Sequence, residues 1–116
     1  MTHDALRSAC LAQPASTEDQ PFGPDNVVFR VGGKIFALLA LDAFPPRINL
    51  KCEPEKAVDW RERYEAVVPG YHMNKRHWNT VVCNGSVAPD DLHEMIGDSY
   101  ALVRASLPRR IQSTLQ

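Results

Sequence analysis

Ten consecutive residues, Tyr71-His72-Met73-Asn74-Lys75-Arg76-His77-Trp78-Asn79-Thr80, gather two cations, two imidazoles, two large aromatic rings and two amides, with no carboxylate to neutralise them. Three chemistries use such a mixture. Lys and Arg meet phosphates, Asn meets a phosphate or a base edge, and Tyr or Trp stacks on an exposed base. The imidazoles of His72 and His77 offer two ligands to a metal ion. A third ligand would have to be Cys83 or an acid from elsewhere, and the neighbouring Lys75 and Arg76 repel a cation. A thiol–imidazole pair, Cys83 with His77 or Cys52 with His72, is what nucleophilic catalysis would require. No nucleophile elbow, phosphate loop or paired-carboxylate signature accompanies it. The expectation is therefore a non-enzymatic nucleic-acid binder without cofactor, with metal binding through His72 and His77 a weaker alternative. Each residue also has a plainer use: Trp78 and Tyr71 in the core, His72 on backbone groups, Lys75 and Arg76 in solvent.

Charge restricts the partner. The net charge of −1 excludes a strongly electrostatic nucleic-acid binder, so binding is expected to be weak and salt-sensitive. The charges are nevertheless segregated. Lys34, Arg47 and Lys51 face only Asp42 over residues 31–52, while Asp90, Asp91, Glu94 and Asp98 crowd one later segment. A bipolar surface follows, and its basic side would face a polyanion. The expected contact set is Lys34, Arg47, Lys51, Tyr71, His72, Asn74, Lys75, Arg76 and His77.

Composition sets the setting. The 116 residues suit one domain, residues 1–116, with a tail from 109 to 116 expected to fray. No apolar run is long enough to span a bilayer, and Met1–Cys10 has no apolar segment of the kind a secretory signal carries. A cytoplasmic monomer is expected. Cys10, Cys52 and Cys83 are odd in number and widely spaced, each beside apolar residues, so buried free thiols are expected rather than a disulfide framework or zinc knuckle.

These side chains need a scaffold, and the pattern supplies one. Residues 3–12 show helical spacing and stop before Pro14. Residues 13–26 form a Pro- and Gly-rich loop in which Phe22 is expected to anchor to the core. Asn26–Val31 and the run from Lys34 to Leu41 are β-rich and separated by Gly32-Gly33, a hairpin signal. Arg47–Cys52 alternates, turning Ile48, Leu50 and Cys52 inward and Arg47, Asn49 and Lys51 outward. Pro54 opens a helix expected to run to about Val67 on a stripe of Ala57, Trp60, Tyr64 and Val67, ended by Pro69-Gly70. Trp78–Cys83 is a fourth strand, Asn84-Gly85 a turn, and Pro89 starts a helix to about Leu107 with Leu92, Met95, Ile96, Ser99, Leu102 and Val103 at helical spacing. Trp60, Tyr64 and Tyr100 lie on helical stripes, so core packing is the first expectation for them, and an exposed aromatic patch that would make the chain a protein-interaction module is the second. The order α-β-β-β-α-β-α predicts an α+β fold: an antiparallel sheet with helices packed on one face.

Several segments occur in the order known from one family: Gly23-Pro24-Asp25, the hairpin from Val31 to Leu38, Ile48-Asn49-Leu50-Lys51-Cys52, the run from Pro69 to Trp78, and Asp98-Ser99-Tyr100. On these residues, reaching to about Pro108, the chain resembles the MmcQ/YjbR family. The resemblance implies a CyaY-like fold and the DNA-binding activity, through a double-wing surface, with which that family is labelled. On this chain the two wings would be the Gly32-Gly33 and Asn84-Gly85 turns.

Overall fold

The structure is a computed structural model and describes residues 1–70 and 73–115. Its elements in chain order are α1 (His3–Leu11), β1 (Thr17–Asp19), β2 (Asn26–Val31), β3 (Lys34–Ala40), β4 (Arg47–Lys51), α2 (Pro54–Arg63), β5 (Val67–Pro69), β6 (Trp78–Val82), α3 (Pro89–Ala105) and α4 (Arg109–Gln112). The strands form one sheet in the order β1-β2-β3-β4-β6-β5, with every neighbouring pair antiparallel. The helices α1 and α3 pack on the central strands and α2 on the β5 side. The α+β class is as expected, with more elements than the sequence pattern revealed.

Pairing register shows how the sheet is divided. Leu39 pairs with Ile48 and Ile48 with Val81, while Ala37 pairs with Leu50, and all five belong to the core between sheet and helices. Because side chains alternate along a strand, the intervening residues share the opposite face. That face carries Leu38, Asn49 and Thr80 in one row, Ala40, Arg47 and Val82 in the next, and Lys51 beside Trp78. No helix among the described residues packs on it.

A bulge bends β3. Phe29 pairs with Ala37 and Arg30 with Ile35, so Phe36 is the extra residue. Its freed carbonyl would be costly to bury unpaired. Ser99, fully buried on α3, resolves this: its hydroxyl donates to the Phe36 carbonyl at 2.5 Å and accepts from the Lys51 amide at 2.8 Å. The Phe36 ring meets Tyr100 edge-on at 5.4 Å. Asp98-Ser99-Tyr100 is thus a segment that docks α3 onto the bulge.

Several expectations are corrected. The second helix ends at Arg63, not near Val67. Tyr64 is already extended, and the β-branched pair Val67-Val68 enters strand β5 against β6. Phe22 does not anchor its loop, being 61 % exposed. The segment after Pro108 carries a short element of its own. Arg109–Gln112 form a helical turn, and Leu107 and Ile111 lie so close to Gly32 that a Cβ there would sit 2.5 Å and 3.2 Å from their side-chain carbons. Trp60 and Tyr100 are buried, and the Tyr64 hydroxyl bonds Asp91, so these rings form no exposed patch.

Candidate nucleic-acid interface

The turn that displays Lys75 and Arg76 is built by Asn74. Its carbonyl accepts from the His77 and Trp78 amides at 3.1 and 2.9 Å, and its side-chain oxygen accepts from the Arg76 amide at 3.0 Å. Asn74 therefore serves the loop that carries the cations, as short amide side chains commonly do in turns. Lys75 and Arg76 are exposed on this turn.

Two further contacts hold the turn to the scaffold. Asn79, only 3 % exposed, faces the core from β6. Its oxygen accepts from Arg61 Nη1 at 2.9 Å and its amide nitrogen donates to the Ala57 carbonyl at 3.2 Å, joining β6 to α2. The same Arg61 nitrogen reaches the Lys75 carbonyl at 3.4 Å. On the other side Cys52 donates its amide to the His77 carbonyl at 2.7 Å, fixing the turn to the end of β4. Gly70 packs where a Cβ would come within 2.9 Å of Trp78 Cβ, so it allows β5 to close on β6 as well as marking the end of a strand.

The open face of the sheet is concave. A trough of roughly 650 Å³ is lined by Phe22, Leu38 and Met73, by Asn26, Asn49 and Thr80, and by Arg47 with Asp42, among others. Its walls come from the β1–β2 loop, carrying Phe22, and from the loop before β6, carrying Met73. The floor offers Asn49 and Thr80, which hydrogen-bond to each other. Arg47 and Lys51 are four residues apart on one strand and share this face, about 13 Å from each other. Lys51 pairs directly with half-buried Trp78 and so lies next to the Lys75–Arg76 turn.

The structure does not bring all the expected contact residues together. Lys34 pairs with Val31, a core residue, at the far end of β3 from Ala40, the partner of Arg47. It therefore lies on the helix-covered side by register, roughly 20 Å along the strand from Arg47. Tyr71 and His72 lie outside the described residues, and with them the His72–His77 metal site and the Cys52–His72 pair. Among the described residues no three His, Cys, Asp or Glu side chains converge as a metal site would require. The wing geometry is also different from the expectation. Asn84-Gly85 links β6 to α3, with the Asn84 side chain capping Ser86, and sits at the opposite end of the sheet from Gly32-Gly33. Sequence reasoning missed Phe22, Met73 and Thr80 as lining residues, since nothing in a loop sequence shows which face it folds over.

The cysteines are chemically quiet. Burial pushes the Cys10 thiol up to about 12 and also raises Cys52 and Cys83. All three are free and buried, in the thiol form that packs rather than the thiolate that attacks.

A family model for YjbR matches residues 11–102. The chain belongs to the YjbR family. It is 37 % identical over 114 residues to YbdF of Escherichia coli O157:H7, covering 98 % of this chain and 93 % of that one. It is 28 % identical over 115 residues to YjbR of Escherichia coli K12, covering 99 % and 98 %. Both relatives are described only as uncharacterized. A crystal structure of a Deinococcus radiodurans protein with domain DUF419 superposes at a TM-score of 0.92 with 35 % identity, covering 97 % of this chain and 86 % of that one. A Pseudomonas syringae crystal structure superposes at 0.77 with 30 % identity, covering 89 % and 99 %. The family match bears out the resemblance, and the superposition on the Deinococcus radiodurans structure bears out the α+β fold.

Proposed function

We propose that this YjbR-family protein binds DNA weakly through Arg47, Lys51, Lys75 and Arg76 along the open sheet face. One observation carries the reading. The four follow one path on the open face, from Arg47 to Lys51 along β4 and on to the exposed Lys75–Arg76 turn, and none makes an ion pair among the described residues, a state shared by Lys34, Arg61, Arg104, Arg109 and Arg110 elsewhere. Cations left without carboxylate partners and strung along one face are what phosphates require. Asp42 on the same trough and the net charge of −1 keep the affinity modest. The three free thiols suit the reducing cytoplasm, where the reading places the protein.

A salt titration of DNA binding tests this. Four phosphate contacts to duplex give a slope of log affinity against log salt of about −3.6, and the Lys75→Ala/Arg76→Ala double variant should halve it to about −1.8. Identical affinity and slope in the two proteins would sink the reading.

A second reading has its own observation. Phe44 is 93 % exposed, near half-exposed Leu41 and at the same end of the sheet as Phe22. Such a tip favours a protein-interaction module. In its simplest form, self-association, it predicts concentration-dependent sedimentation abolished by Phe44→Ser.

A further inference from the structure

We infer that the DNA held by this face is single-stranded, an inference that rests on the DNA-binding reading and narrows it. A duplex is read by an element that enters a groove, such as a helix or a two-stranded ribbon. The open face presents neither, because its centre is recessed and the two turns once expected to act as wings stand at opposite ends of the sheet. A recessed sheet floor between two loops is instead the form in which exposed bases are received, with stacking on side chains and phosphates tracked along a basic rim.

The lining residues match that division of labour. Phe22 is an aromatic ring kept in solvent at the wall, available to a base. Leu38 and Met73 give apolar contact to base faces, while the Asn26 and Asn49 amides face base edges, Asn49 held in place by the buried Thr80 hydroxyl. Arg47 and Lys51 follow the strand beneath, and Lys75 and Arg76 continue the rim beyond Trp78. A flexible single strand can follow such a track, and a rigid duplex cannot lower its bases into it.

The test is fluorescence anisotropy of the full chain in low salt with labelled single-stranded DNA of roughly 16 nucleotides, the upper site size for one small domain. The duplex and the single-stranded RNA of the same sequence are the comparison arms. The single DNA strand is expected to bind at least tenfold tighter than the duplex. Phe22→Ala, a surface change, is expected to weaken it about tenfold, the usual loss of one stacked base. A duplex that binds as tightly, or an unchanged Phe22→Ala affinity, overturns the single-strand inference and leaves DNA binding standing. RNA bound tenfold tighter than DNA overturns the assignment to DNA. Failure of every nucleic acid to bind overturns both this inference and the reading beneath it.

Discussion

Gly32→Ala separates two costs that the hairpin places on one residue. The backbone at Gly32 has φ of +57°, where a side chain costs about 1–2 kcal/mol. A Cβ there would also stand 2.5 Å from a methyl of Leu107, which is buried and has little room to turn away. Forcing a carbon into such a contact costs about 1–3 kcal/mol. The total is about 2–5 kcal/mol. Gly33 provides the control, since its φ of +84° carries the backbone cost but nothing lies within 4 Å of its Cβ position. Gly33→Ala should therefore lose only about 1–2 kcal/mol. Leu107→Ala removes the nearest obstruction and leaves only Ile111 Cγ2 at 3.2 Å, so adding Gly32→Ala to it should cost less than Gly32→Ala does in the wild type. Urea unfolding of the four variants and the wild type gives these values by linear extrapolation. Equal losses for Gly32→Ala and Gly33→Ala, or simple additivity of Gly32→Ala with Leu107→Ala, would show that the C-terminal turn does not pack on the hairpin.

Two other outcomes are expected. Asn79→Ala removes a charge-assisted bond from Arg61 and a neutral bond to Ala57, for a loss of about 2–4 kcal/mol that Arg61→Ala should largely duplicate; thermal unfolding showing additive losses would contradict a shared contact. Cys10 gives a pH dependence. Its thiol is raised in the folded chain from 9.0 to about 12, so its contribution is complete below pH 9 and is lost as pH climbs through the folded value, reaching about 4 kcal/mol. Stability measured from pH 8 to 11 should fall more steeply in the wild type than in Cys10→Ala, and parallel curves would contradict the assignment.

Legibility in the sequence followed the length and regularity of each element. The Gly32-Gly33 hairpin, the alternation of β4 and the periodic face of α3 were all readable, because each repeats its signal over several residues or uses a glycine no other residue replaces well. The strands β1 and β5, of three residues each, were not. Three residues cannot establish a period of two, and Thr17-Glu18-Asp19 has the composition of a loop. The end of α2 was misplaced because Pro69-Gly70 looks like a helix stop, while the chain had already changed state at Tyr64. The candidate interface was half legible. The sequence could show that Lys75 and Arg76 lack nearby acids, and that Arg47 and Lys51 share a face. It could not show that Lys34 belongs to the other side, since this depends on the pairing of Lys34 with Val31 beyond a bulge. Nor could it place Phe22 over a trough whose floor comes from strands later in the chain.

The shortness of the two outer strands has a consequence for the molecule's behaviour in a crowded solution. A sheet with one uncovered face invites other chains to extend it at its margins. Here one margin is three residues bearing Glu18 and Asp19, and the other closes on Pro69, which has no amide hydrogen to offer. Neither presents a long template for an incoming strand. The protein can leave one face of its sheet uncovered without its rims growing into fibrils.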